Sequence, residues 1–238
     1  MKNFGFTLAE VLITLGIIGI ISALTIPTLV SDSENRAHAA KLSSTITSVE
    51  DAFASMMASD AVQDFAETTF YRADSAADRA ANLGLHIKLS GSASSFDNYY
   101  GDDTEITTLD NESLLPNFDM IFQLKNGALL FYYEDPDSIN RRAAEDEGLA
   151  INERVGTLAI DVNGGEGPNR WGRDFFQFLI GSDGMLYPAG SLTYAMLIGS
   201  TANDIWSESG AYTECIPGGS RTQGCTARLI ENNYKIDY

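Results

Sequence analysis

The feature that most constrains this chain is an apolar stretch near its N-terminus that contains one carboxylate. Residues 6–29 carry almost no polarity, with Glu10 near the start of the stretch and Pro27 near its end. As a helix, this stretch would be about 36 Å long, enough to cross about 30 Å of hydrocarbon. An ionised acid in hydrocarbon costs several kcal/mol, so an intramembrane acid is a functional hypothesis by default. The stretch therefore predicts a membrane helix in which Glu10 has a specific purpose.

Two interpretations of the stretch follow from general targeting rules. A secretory signal needs a basic leader, an apolar region and a small-residue cleavage site behind it, and Ser22-Ala23-Leu24 matches such a site weakly. Against this interpretation, the leader has only about five residues and Glu10 opens the apolar region. A plain membrane span fits the length but leaves Glu10 and Pro27 unexplained.

A third interpretation comes from a family resemblance. The segment Gly5-Phe6-Thr7-Leu8-Ala9-Glu10-Val11-Leu12-Ile13 resembles the leader junction of type IV pilins and type II secretion pseudopilins. The resemblance implies that a prepilin peptidase cuts between Gly5 and Phe6, that Phe6 is then N-methylated, and that Glu10 is kept as the fifth mature residue. Gly19 and Pro27 fall where that family often has a helix-breaking Gly and Pro, within the segment used for assembly.

Cleavage would place a new α-amine on Phe6, one helical turn from Glu10. A buried carboxylate needs a partner or it becomes neutral, so Glu10 is expected to pair with its own amine or with that of a neighbouring subunit. Pairing with a neighbour would specify the axial register of a filament. The alternative is that Glu10 simply lies at headgroup depth. Pro27 lacks an N–H and predicts a bend or a melted turn between Gly19 and Pro27.

The helix is predicted to continue out of the membrane to about Met57, roughly 78 Å in all. Its second half has an apolar stripe at spacings of three and four residues, which is typical of a helix that packs on one side. Packing on the chain's own sheet is favoured over a coiled coil. The predicted organisation is a leader at 1–5, a hydrophobic transmembrane and assembly helix at 6–30, and an extracytoplasmic globular domain at 31–238. The stripe consists of Ala39, Leu42, Ile46, Val49, Phe53 and Met56.

The rest of the chain predicts a small antiparallel sheet. The runs 118–124 and 128–133 flank Asn126-Gly127, a strong hairpin signal. The runs 157–161, 174–180 and 185–187 also favour strands. We therefore predict an α+β, pilin-like fold: a long N-terminal helix packed on four to five antiparallel strands. Further predictions are a short helix at 74–83, surface chain at 91–108 and 135–153, and a last strand at 227–238.

The segment between two predicted strands collects oxygen ligands among glycines. Hard cations such as Ca²⁺ take 6–8 oxygens from carboxylates, amides and carbonyls. The opening resembles half of an EF-hand loop, but its twelfth position is Gly172 rather than Glu. The resemblance to major pseudopilins, which carry a calcium site in a C-terminal loop, raises calcium as a hypothesis. The alternative is a hairpin loop held by Asx-turns. The candidate ligands are Asp161, Asn163, Glu166, Asn169 and Asp174.

Two cysteines lie close together near the C-terminus. Cys215 and Cys225 flank a turn-rich segment, and in a domain outside the cytoplasm they predict a disulfide. Two unpaired thiols are the alternative. A C-terminal disulfide loop also resembles that of many type IV pilins.

Composition and motifs narrow the function. A formal charge of −18 argues against a basic nucleic-acid-binding face. No Ser-hydrolase, phosphate-loop, dinucleotide or zinc motif is present, so no enzymatic activity is predicted, and no cofactor other than calcium is considered. We expect a structural subunit of a type II secretion pseudopilus or type IV pilus-like filament. The alternative is a minor or tip subunit, or a membrane-anchored module that binds a secreted substrate or surface ligand.

The resemblance also implies partners and a location. The partners are homologous subunits, the prepilin peptidase, an inner-membrane assembly platform and the membrane itself. The expected location is the bacterial inner membrane, spanned once with a short cytoplasmic leader, followed by an extracytoplasmic or cell-surface filament.

Overall fold

A computed structural model describes residues 7–93, 95–101, 104–116, 118–134, 154–191, 215–216 and 224–236. In these ranges a long helix packs on an antiparallel sheet, so the predicted α+β arrangement is confirmed. The helices are α1 (Leu8–Asp60), α2 (Ala76–His86) and α3 (Cys225–Glu231). The strands are β1 (Leu89–Ala93), β2 (Met120–Leu124), β3 (Leu129–Glu134), β4 (Arg154–Asp161), β5 (Phe175–Gly181) and β6 (Leu186–Pro188).

Helix α1 is continuous over 53 residues, with Pro27 inside it. The predicted melted turn between Gly19 and Pro27 is therefore not found. Proline removes one N–H from the ladder, and the turns on either side keep their own hydrogen bonds. The helix ends where Ala61 adopts a left-handed conformation (φ 56°), and the Ala61 N–H donates to the carbonyls of Met57 and Ala58.

The predicted apolar stripe of α1 is buried. Burial begins at Ala39 and ends at Met56, and Leu42 and Val49 have no exposed surface. Because these positions recur every three or four residues, they occupy one side of the helix. This side faces the sheet, and the stripe residues from Leu42 to Met56 belong to the same apolar cluster as alternate residues of β2 to β5.

The six strands follow one another in space in their chain order, each antiparallel to the next. The prediction of four to five strands was therefore slightly low. The additional strand is β1, which overlaps the segment predicted as a surface loop at 91–108. Its Ser and Gly residues carry little strand propensity, so pairing decides the conformation. The Ser90 hydroxyl also donates to the carbonyls of Gln123 (3.3 Å) and Leu124 (3.2 Å).

Both faces of the sheet are covered. Leu130 and Tyr132 of β3 pack into the cluster that contains α1, whereas Leu129 and Phe131 pack into a second cluster. Successive strand residues point to opposite faces, so the second cluster lies on the side away from α1. Its cover comes from loop residues that include Tyr100, Ile106 and Trp171.

The β2–β3 turn fixes the sheet against α1. Within the turn, Gly127 has a positive φ (84°) and Asn126 does not, so glycine is needed at one position rather than two. The Asn126 amide donates to the Thr45 hydroxyl of α1 (3.2 Å), and its oxygen accepts from the Ala128 N–H (3.0 Å). This turn therefore docks at the level of Thr45 along the helix.

The predicted C-terminal strand was wrong, because residues Cys225–Glu231 form α3. Their Ala, Arg, Leu and Glu side chains favour a helix, and the tertiary contacts suit one. The Ala227 N–H donates to the Ala189 carbonyl (3.0 Å), and the Thr226 hydroxyl accepts from the Gln177 N–H (3.0 Å). Helix α3 therefore covers the end of the sheet formed by β5 and β6.

Candidate assembly segment and carboxylate loop

The start of α1 is held by a reciprocal cap. The Thr7 hydroxyl accepts from the Glu10 N–H (3.3 Å), and Glu10 Oε2 accepts from the Thr7 N–H (2.8 Å) and hydroxyl (2.7 Å). This capping box satisfies N–H groups that have no helical partner. Gly5 and Phe6 lie outside the described residues, so cleavage between them and pairing of Glu10 with the Phe6 amine remain predictions. The cap is a second partner for Glu10 that the sequence reasoning missed.

The first part of α1 has no covering surface in this chain. Its large apolar side chains from Leu8 to Val30 are between 43% and 80% exposed. Within the described residues, α1 is the one helix both long and apolar enough to cross a membrane. Gly19 and Pro27 lie on this bare part, and a Cβ added at Gly19 would meet nothing within 4 Å. The space beside Gly19 is therefore open for another molecule.

The loop between β4 and β5 is organised by two buried carboxylates. Asp161 Oδ1 accepts from the N–H groups of Asn163 and Gly164, both at 3.0 Å, and its Oδ2 accepts from the Tyr100 hydroxyl. Asp174 accepts from the N–H groups of Arg170 (2.6 Å) and Asn169 (2.8 Å). Asp161 therefore forms an Asx-turn at the start of the loop, and Asp174 holds the backbone of residues 169 and 170 from the other end.

Burial shapes the electrostatics of this loop. Desolvation raises the pKa of the Asp161 carboxyl to about 8, against the lowering effect of the Tyr100 hydroxyl. The pKa of Asp174 is also raised by burial, and its N–H donors oppose the shift. On α1, burial lowers the pKa of Lys41, and the charge of Asp161 opposes this shift. His38 of the same helix lowers the pKa of Asp174. The loop is therefore coupled to the part of α1 nearest the membrane segment.

Four of the five predicted calcium ligands come together, and the fifth is exposed. Asn169 donates through its N–H to Asp174, and Asn163 Nδ2 donates to the Gly167 carbonyl (3.0 Å). Glu166 lies exposed at the tip of the loop. Among the described residues, no three Asp, Glu, His or Cys side chains are placed to hold a metal ion. The side-chain oxygens of Asn163 and Asn169 are nevertheless buried without a hydrogen-bond partner.

The sequence reasoning missed Tyr100 as a partner of this loop. Tyr100 lies 61 positions before Asp161 and was assigned to a surface loop, but it is 3% exposed and stacks on Phe96 with ring centroids 4.1 Å apart. Burial and the charge of Asp161 raise the pKa of its hydroxyl. The available signal was the Tyr99-Tyr100 pair inside an otherwise polar stretch.

The two cysteines form a disulfide, as predicted. Cys215 and Cys225 are joined with an S–S distance of 2.11 Å, and both are fully buried. The Arg228 guanidinium donates to the Cys215 carbonyl (2.7 Å). The bridge therefore ties residue 215 to the start of α3.

Comparison with known proteins gives one match. The family model described as the prokaryotic N-terminal methylation motif matches residues 1–26. No curated protein and no solved structure gave a significant match. The matched segment contains the predicted cleavage site, Glu10 and most of the exposed apolar part of α1. Residues 1–26 of this chain are thus the prepilin-type methylation motif of type IV pilins and pseudopilins.

Proposed function

We propose that this chain is a structural, non-enzymatic subunit of a type II secretion pseudopilus or a type IV pilus-like filament. A prepilin peptidase would remove residues 1–5, and an inner-membrane platform would then polymerise the subunits through α1. The observation that carries the proposal is the matched motif on a helix whose apolar half is bare. Such a surface is stable in lipid or among other helices, but not in water.

The processing step has a direct test. Mass spectrometry of the membrane fraction should find an N-terminal peptide that begins at methylated Phe6. A Gly5→Leu variant, which blocks the residue before the cut, should keep Met1 and fail to assemble. A mature N-terminus after Ala23, or an intact leader in the wild-type chain, would overturn the proposal.

The assembly role of Glu10 has a separate test. Glu10→Ala should be cleaved and inserted normally but should form at least tenfold fewer filaments, because a neighbour's amine loses its carboxylate partner. Thr7→Ala, which removes only the side-chain half of the cap, is the matched control and should assemble more nearly normally. Normal assembly of Glu10→Ala would remove the register role.

A minor or tip subunit, or an anchored binding module, is the second candidate. The loop layer over the outward face of the sheet supports it, since loops on a rigid scaffold carry most binding functions. Copy number separates the two candidates. Quantitative mass spectrometry of sheared filaments should find the chain as the main component if it forms the shaft.

We propose calcium binding at the β4–β5 loop as an additional property, supported by the unpartnered oxygens of Asn163 and Asn169. These amides and the carboxylates of Asp161 and Asp174 would hold the ion. Titration calorimetry with Ca²⁺ should show binding that Asn169→Ala weakens. A melting temperature unchanged by chelator, together with no heat of binding, would refute it.

A further inference from the structure

A cleft with excess positive charge lies on the side of the globular domain next to α1. It has a volume of about 380 Å³ and lies between α1, the end of α2 and the β2–β3 turn. We call it the basic cleft and define it by His86, Lys88 and Lys125. The Lys125 N–H donates to the Lys88 carbonyl (3.1 Å), so the two lysines are held side by side.

The charge of the basic cleft is not neutralised within the described chain. In the part of the chain that the structure describes, the ion pairs join Arg72 to Glu67 and Arg79 to Glu134. Neither cleft lysine therefore has a described carboxylate within 4.0 Å. Asp51 is the one acid among the lining residues. Two of the five lysines of a chain with net charge −18 therefore meet in one cleft without an ion-pair partner there.

A segment with the opposite charge pattern lies nearer the N-terminus of α1. Asp32 and Glu34 are exposed, and they lie between the bare apolar part of the helix and the first buried residue, Ala39. Arg36 follows Asp32 by one helical turn, so the two share a side of the helix. Glu34 is two residues from each of them, about 200° around the helix, and points to the opposite side. The side shared by Asp32 and Arg36 therefore offers an acid for Lys88 and Lys125, and a base for Asp51.

The cleft and the acidic segment of one chain are too far apart to meet. The β2–β3 turn docks at Thr45, and Glu34 lies eleven residues below it, about 17 Å along the helix. Asp51 lies a further turn and a half above Thr45. A parallel copy displaced by about 21 Å away from the membrane would bring its residues 32–36 level with the cleft.

We propose that the basic cleft binds Asp32 and Arg36 of a second copy of this chain, with the two α1 helices parallel and axially displaced. The inference rests on the proposed filament function and deepens it by naming a lateral contact. Charge complementarity supports this occupant, and such contacts favour correct partners and registers.

The test uses the full chain expressed with its assembly machinery. Lys88→Glu combined with Lys125→Glu should reduce sheared filaments at least tenfold. Adding Asp32→Lys should restore them, whereas adding Glu34→Lys, on the opposite side of the helix, should not. Lys235→Glu, at an exposed position away from the cleft, is the matched control and should assemble normally. Loss without rescue would mean that the cleft binds another anion, such as a lipid headgroup, and would overturn the proposal.

A cross-link gives a readout that does not depend on charge reversal. The pair Asp32→Cys and Lys125→Cys should produce disulfide-linked multimers in filaments, and the separation within one chain excludes an internal bridge. Processing at Phe6 reports on the proposed function separately. Methylated, assembled subunits that neither cross-link nor respond to charge reversal would overturn this inference alone.

Discussion

At the scale of single residues, the β4–β5 loop depends on carboxylates that are costly to ionise. Asp161 is fully buried, and its neighbour Asp174 carries the same charge. Backbone N–H groups and the Tyr100 hydroxyl compensate part of the desolvation cost, because hydrogen bonds to a carboxylate favour its charged form. Position 161 therefore suits a hydrogen-bond acceptor more than it suits a charge.

Stability should decrease as pH rises across the range in which Asp161 titrates. Its pKa of about 8 in the folded chain exceeds the ordinary value of 3.8, so the folded state binds more protons between these limits and is favoured at the acid end. Asp161→Asn keeps an acceptor for the two N–H groups and removes the charge. We expect the free energy of unfolding of this variant to fall less between pH 5 and 8 than that of the wild type, by about the contribution of one carboxyl group. Denaturant titration in detergent measures both profiles.

The matched control for this prediction is Asp97→Asn, which removes an exposed carboxylate from the neighbouring segment. It should leave the pH profile of the wild type unchanged. An Asp161→Asn profile parallel to that of the wild type would contradict the assignment of the shift to this residue.

At the scale of elements, the outward face of the sheet is sealed by two loops in contact. The Trp171 indole N–H donates to the Leu114 carbonyl (2.7 Å), and the Thr107 N–H donates to the Asn169 carbonyl (3.0 Å). The segment around Tyr99 passes directly over the loop, and a Cβ added at Gly165 would lie 2.5 Å from the Tyr99 carbonyl oxygen. The close approach of these backbones therefore requires glycine at 165.

Gly165→Ala should destabilise the domain by about 1–3 kcal/mol, because the added methyl group forces the two loops apart. Gly167→Ala, two residues along the same loop, has nothing within 4 Å of its added Cβ and should change stability by less than about 0.5 kcal/mol. Denaturant unfolding of both variants makes the comparison. Equal effects at the two positions would show that backbone freedom, rather than the contact with Tyr99, decides the cost.

Most elements with a strong local pattern were predictable, and the exceptions share a physical cause. The stripe of α1 and the apolar runs of β2 to β6 carry their periodicity in the sequence. Strand β1 has Ser and Gly residues whose conformation is decided by pairing with β2, and α3 is decided by its docking on β5 and β6. Likewise, Asp161 and Asp174 could be grouped because they share a loop, whereas Tyr100 joins them only through the fold.

At the scale of the whole molecule, the chain has two parts that need different surroundings. The first part of α1 needs lipid or other helices around it, and its second part is the central element of a domain that buries its own core. At the far end, the disulfide and α3 close the sheet. In a filament built from this chain, the assembly segment would therefore lie at the N-terminal end of each subunit's sequence and the disulfide near its C-terminal end.

Replacing both Cys215 and Cys225 by Ser should lower the free energy of unfolding by a little under about 3 kcal/mol, the chain-entropy value for so short a loop. The two cysteines are 10 residues apart in sequence. Because the disulfide holds the start of α3, which covers β6, the amide hydrogens of β6 should be the first in the sheet to exchange in the variant. Reduced wild-type protein is the control and should behave like the variant. Equal stability of the oxidised, reduced and substituted chains would contradict this role of the bridge.

The uninterrupted spatial order from β1 to β6 has a consequence for biogenesis. Every strand docks on the one synthesised just before it, so the sheet can grow one strand at a time as the chain emerges. Helix α1 precedes all of them in the chain, and its second half, which packs on the sheet, offers a template for the first strands. The domain can thus fold in the order of its chain, and its disulfide can close last, because both cysteines follow every strand in the sequence.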